Sequence, residues 1–115
     1  MYRHWIRGEF QDSASGQTFP VINPATEEIV DHAARAGAAD VGRAVEAADH
    51  AFRTWRYTPG LERAEMMHEF ARRLRAKRRE IANLLTLEGG KPLIENLDEV
   101  EWVAACFDYY AEVGR

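Results

Sequence analysis

The sequence predicts an α+β chain, short β-hairpins first and about four α-helices after, on three observations. Over residues 1–36, brief apolar stretches are broken by turn residues. After Gly37 the apolar spacing lengthens from two to about 3.6 residues, the helical period. Glycine and proline then punctuate the helical part at 57–60 and 89–92.

Taken in order, Trp5-Ile6 and Glu9-Phe10 flank Arg7-Gly8, a hairpin tip because glycine accepts positive φ. Asp12-Ser13-Ala14-Ser15-Gly16 is turn chemistry. Thr18–Ile22 extends as a strand, and Pro20, which donates no ladder hydrogen bond, places it at an edge or a strand start. Asn23-Pro24 pushes Asn23 toward extended backbone and opens a turn. Glu28–Ala33 alternates loosely and predicts a further strand.

The first helix carries Val41, Ala44, Val45, Ala48, Phe52 and Trp55 on one stripe. Thr58 is a good N-cap and Pro59 suits the first helical position of the second, whose stripe is Leu61, Ala64, Met67, Phe70 or Ala71, and Leu74. A third stretch holds Ile81, Leu84, Leu85 and Leu87 before Gly89-Gly90, glycines fit to end a helix. The fourth runs from about Leu93 to Val113, with Leu93, Leu97, Val100, Ala104, Phe107 and Ala111 spaced three and four apart. Trp102, Val103, Tyr109 and Tyr110 lie off that stripe, so this helix expects covering on more than one side.

With 115 residues there is room for one small domain, divided into a β-hairpin region 1–36 and a helical region 37–115. A net charge of -4 gives no global reason to seek nucleic acid or an anionic membrane. No apolar run approaches the roughly 18 residues that span a bilayer, and the first residues lack a secretory apolar region. One cysteine, Cys106, excludes an internal disulfide, and the cytoplasm is the expected compartment.

Several local patterns invite chemistry and fail on spacing. Gly90-Lys91 lacks the earlier glycine and the following hydroxyl of a phosphate loop, Leu85 and Pro92 standing there instead. His68-Glu69 begins like a helical zinc motif, but the second ligand position is Arg72. His4, His32, His50 and His68 share no metal-ligand spacing. The basic run Arg72, Arg73, Arg75, Lys77, Arg78 and Arg79 is interrupted by Leu74 and Ala76 and ends a helix, which fits a solvated face or a contact between subunits. Glu95, Asp98, Glu99 and Glu101 occupy early turns of the last helix, where the dipole favours acids. Cys106 has no neighbouring histidine and is expected to pack as a small hydrophobe.

Taken together, Gly8-Glu9-Phe10, Asp12, Ser15-Gly16, Phe19, Val21, Asn23-Pro24-Ala25-Thr26 and Glu28-Ile29-Val30 resemble the opening of the aldehyde dehydrogenase family. The helix from Asp40 to Trp55, the helix start at Pro59–Arg63, the Leu87–Pro92 turn and the Phe107–Ala111 ending are similar too, so the resemblance covers essentially the whole chain. Two positions depart from the family pattern. Glu27 stands at a turn position where glycine is usual, and Glu88-Gly89-Gly90 replaces the commoner acid-threonine-glycine or acid-serine-glycine.

The resemblance implies a segment of an α/β, Rossmann-like NAD(P)-binding domain. It implies an enzyme in which a cysteine attacks the aldehyde, hydride passes to NAD or NADP, and a glutamate-activated water releases the acid. The aldehyde and homo-oligomer partners are implied as well. None of the catalytic or coenzyme-binding residues maps onto this chain, Cys106 is not the catalytic cysteine, and the 115-residue chain is expected to be inactive alone. One family site reaches it: a monovalent-cation site of some members, with backbone carbonyls near Val21 and Ile22 and an acid matching Glu88. The alternative reading is a stand-alone helical interaction module that retains the ancestral sequence for binding.

Overall fold

Four strands and four helices follow one another without interleaving in the computed structural model, which describes residues 1–115. They divide into two units, Met1–Tyr57 and Thr58–Arg115, so the first helix belongs with the strands.

In the first unit, β1 (His4–Ile6) pairs antiparallel with β2 (Glu9–Gln11). Arg7 and Gly8 both take left-handed backbone, φ 55 and 80, the pair of conformations that lets a two-residue hairpin follow the strand twist. Trp5 faces Phe10 across the ladder, their rings edge to face at 4.6 Å. A second antiparallel pair joins β3 (Thr18–Ile22) to β4 (Ile29–Ala34), with a register shift between Val21 and Ile22. Both sheets have two strands, so Pro20 sits on an edge as its missing N–H demands.

Asn23 makes the turn between β3 and β4. Its Oδ1 accepts from Ala25 N–H at 2.9 Å, and its own N–H donates to the Glu28 carbonyl at 2.9 Å. Glu27 closes that turn at φ 62, a left-handed conformation in which a side chain is strained. The helix α1 (Ala38–Trp55) completes the unit, but its apolar stripe is not covered: Val41, Val45, Phe52 and Trp55 are all exposed.

The second unit holds α2 (Gly60–Ala76), α3 (Arg78–Gly89) and α4 (Leu93–Val113), with α4 packed against both of the others. The bounds of α4 agree with its sequence stripe, and Val100, Ala104 and Ala111 of that stripe are buried. Gly90 ends α3 in left-handed backbone at φ 75, its N–H donating to the Thr86 carbonyl at 2.9 Å. The start of α2 differs from expectation. Pro59, extended at ψ 146, takes the N-cap position that Thr58 was expected to hold, and no side chain caps the helix. Thr58 instead offers its carbonyl to Arg63 Nη1 at 2.8 Å.

The interior is unusual in composition. Eight apolar residues are buried, and all but Ile6 and Val100 are alanines: Ala34, Ala64, Ala71, Ala82, Ala104 and Ala111. On α3 it is Ala82 that is buried, while Leu84, Leu85 and Leu87 are exposed. All three tryptophans are exposed, Trp102 to 72%. Alanine pairs let helices approach closely but contribute little area. At about 25 cal/mol per Å², the exposed parts of these large side chains contribute no burial energy within these 115 residues.

Candidate functional site

The residues expected around a cation lie in both units. Val21 and Ile22 sit at the irregularity of the β3–β4 ladder, where the regular exchange of backbone hydrogen bonds is interrupted. Glu88 lies in the last turn of α3, half-buried, with no ion-pair partner. That turn is the negative end of the helix dipole, so a carboxylate there is better matched by a cation than by solvent alone. Carbonyl and carboxylate oxygens are each hard ligands of the kind a hard cation takes. No group of three or more histidine, cysteine, aspartate or glutamate side chains is placed to hold a metal ion.

The charged runs resolve into ion pairs. On α2, Glu69 binds Arg72 (2.7 Å) and Arg73 (2.6 Å), and these guanidinium hydrogen bonds lower its pKa to about 2. Arg75 reaches across to α4, donating to Glu101 and Asp108 at 2.7 Å each. Arg78 donates to the Leu97 carbonyl at 2.8 Å and lies 3.3 Å from Asp98. Lys77 pairs with Glu80, and Lys91 with Glu99 at 2.7 Å and Glu95 at 3.9 Å. All four acids of the early α4 turns are therefore matched by bases, and most of the basic run is neutralised rather than presented to a polyanion.

Cys106 is half-buried on α4 and borders a shallow surface hollow with Trp102, Ala105, Tyr109 and Tyr110. Gly90-Lys91 is a helix end, and Lys91 is engaged with Glu99, in keeping with punctuation rather than phosphate binding.

Two clusters escaped the sequence reading. Asp40, 2% exposed, gathers the turn and the helix start of the first unit: Oδ1 accepts from Ala14 N–H (2.9 Å) and Arg43 Nη2 (2.6 Å), and Oδ2 from Gly37 N–H (2.9 Å). The backbone N–H groups of Gly37 and Ala14, with Arg43 behind them, hold its carboxyl below the ordinary carboxylate value. Its position three residues after Gly37 is the half of a capping box that could have been read from sequence. The second cluster is His68 of α2, bound by Asp108 and Glu112 of α4. Its partners stand 40 and 44 residues away, beyond the reach of any local motif.

Comparison with known proteins places this geometry. A model of the aldehyde dehydrogenase family matches residues 10–115, and the chain belongs to that family. It is 40% identical over 116 residues to aminoaldehyde dehydrogenase 1, peroxisomal, of Malus domestica, covering 96% of this chain and 23% of that one. Among solved structures it is similar to 3,6-anhydro-L-galactose dehydrogenase in complex with NAP (34% identity, TM-score 0.93). It is also similar to PnpE in complex with nicotinamide adenine dinucleotide (33%, TM-score 0.94). Each likeness covers 96% of this chain and 23% of the other. The chain thus spans about a quarter of the length of the relatives it matches. No helix is long and apolar enough to cross a membrane.

Proposed function

We propose that this chain forms the N-terminal part of the coenzyme-binding domain of an NAD(P)-dependent aldehyde dehydrogenase that converts an aldehyde to a carboxylic acid. In that enzyme a cysteine outside these residues attacks the aldehyde, and the coenzyme accepts the hydride. The residues present here supply scaffold: hairpins, caps and helix pairs that hold their shape through alanine seams and ion pairs. The observation that carries the reading is the inverted distribution of apolar residues in a chain of this family. Alanines fill the interior, while Trp102, Val103, Tyr109 and Tyr110 of α4 and the stripe of α1 face outward. Patches of that kind need covering, and we assign the covering to the remainder of the enzyme. Cytoplasmic residence and assembly into a homo-oligomer belong to the same proposal.

The proposal includes a monovalent-cation site formed by the Val21 and Ile22 carbonyls and the Glu88 carboxylate. Its support is the interrupted ladder at Val21/Ile22 and the unpartnered Glu88 at a helix C-terminus. In the whole enzyme, potassium or sodium chloride should raise the melting temperature more than choline chloride does, and Glu88→Gln should abolish the difference.

The reading is tested with the 115-residue chain itself. Alone, it should bind a hydrophobic dye and produce no NADH or NADPH from any aldehyde. A sharp two-state melt of a monomer that binds no dye would favour the stand-alone interaction module instead. Aldehyde-dependent NADH formation by the pure chain would overturn the assignment of the chemistry to residues outside it.

A further inference from the structure

We propose that the α2–α4 seam carries a proton-dependent clasp. While His68 holds a proton on both ring nitrogens it ties α2 to α4 through Asp108 and Glu112, and the tie loosens when one proton leaves. Nδ1 lies 2.6 Å from Asp108 Oδ1 and Nε2 lies 2.8 Å from Glu112 Oε1. Ionised carboxylates only accept hydrogen bonds, so both contacts are satisfied together only by an imidazolium, which donates from both nitrogens. A neutral imidazole has one N–H. Whichever tautomer it adopts, one carboxylate then faces a lone pair.

The surrounding charges are arranged for the protonated form. Along the seam, negative and positive groups alternate in one row: Glu101, Arg75, Asp108, His68, Glu112 and Arg115. Successive separations are 2.7, 2.7, 2.6, 2.8 and 3.6 Å. With His68 charged, three cations balance three carboxylates; without its proton the row is left with one excess negative charge. On α2 itself, Glu65 and Arg72 lie one turn either side of His68, and Arg72 is already engaged with Glu69. Arg75 is the cation nearest in the row, and both its contacts go to α4 carboxylates, Glu101 and Asp108.

Hydrogen bonds to Asp108 and then Glu112 raise the imidazole above its ordinary value of 6.5, and the same contacts lower both carboxyl groups. The sign follows. A pKa raised in the folded state stabilises fully below the unfolded value, and that stabilisation is lost as pH rises through the folded value. The clasp is therefore closed in mildly acidic solution and opens toward alkaline pH. His68 is 40% exposed, so solvent screens the tie, and its effect is confined to the seam rather than to global unfolding.

The test is a titration of the His68 ring by NMR in the whole enzyme, followed by amide exchange along α4. The midpoint should lie above 6.5 and fall in Asp108→Asn. After correction for intrinsic base catalysis, amides near Asp108 should exchange faster above the midpoint than below it, and His68→Gln should remove that difference. A midpoint at or below 6.5, or one unmoved by Asp108→Asn, overturns the proposal. The wild-type titration needs no variant to fold. Equal pH dependence of exchange in wild type and His68→Gln overturns it independently.

Discussion

The alanine seam of the second unit makes a sharp mechanical prediction at Ala104. This residue is completely buried in α4, in a stripe with Val100 and Ala111, and its helix packs on both α2 and α3. Leucine is nearly as good a helix former as alanine, so Ala104→Leu leaves the local propensity almost unchanged. The whole effect must then come from three added carbon atoms that have no space to occupy. Overpacking of a closed seam costs about 1–3 kcal/mol, and a site with neighbours on two sides belongs in the middle of that range or above. A loss of about 2 kcal/mol is roughly a 30-fold change in the opening equilibrium. Hydrogen exchange reads that quantity directly, amide by amide, and does not require a cooperative melt. Amides of α4 should therefore exchange roughly 30-fold faster in Ala104→Leu. Ala105→Leu, one residue along and exposed, is the control and should stay within about 0.5 kcal/mol of wild type. Unchanged exchange in Ala104→Leu, or equal damage from Ala105→Leu, would refute the close-packed seam.

Three other substitutions, made in the whole enzyme, probe the remaining elements. Glu27→Gly removes a side chain held at φ 62, and thermal denaturation should show the first unit stabilised by about 0.5–1 kcal/mol; a destabilised variant would contradict the strain. Asp40→Asn exchanges a three-way acceptor for a group that accepts at one atom only and should lower the melting temperature at neutral pH. Because the folded pKa of Asp40 is depressed, its contribution is present above the ordinary value of 3.8 and disappears as pH falls through the folded value. The gap between variant and wild type should close over that acidic range, and a gap independent of pH would count against the carboxylate's role. Asn96→Ala strips the Thr86 hydroxyl (2.8 Å) and the Lys91 carbonyl (3.2 Å) of a fully buried donor, an expected loss of about 2 kcal/mol by urea titration.

Secondary structure was legible wherever chain punctuation and period agreed. Arg7-Gly8 announced a hairpin because two left-handed residues are what its tip requires, and Gly90 announced the end of α3 for the same reason. Pro92 and the stripe from Leu93 to Ala111 defined α4 closely. What period cannot report is whether a face finds a partner. The α1 stripe and the leucines of α3 have the correct spacing and remain exposed, because covering is a property of the surrounding chain and not of the helix. Buried polar groups were missed for a related reason: Asp40 is bound by Ala14, 26 residues earlier, and only the folded turn brings them together. Charge runs behaved otherwise. The bases of 72–79 and the acids of 95–101 looked like two separate patches, and α4 lying against α2 and α3 turned them into one set of pairs. The proposed cation ligands Val21, Ile22 and Glu88 rest on the family resemblance alone, since no local spacing relates 21–22 to 88.

The central claim, that this chain is a structural part of an aldehyde dehydrogenase and carries none of its chemistry, is tested most directly by transplantation. The matching segment of the Malus domestica aminoaldehyde dehydrogenase, 40% identical to it, is replaced by this chain, and aminoaldehyde oxidation is measured for the chimera and for the 115-residue chain alone. Activity is expected in the chimera and none in the isolated chain. Oxidation by the isolated chain, or a folded, soluble chimera without activity, would contradict it.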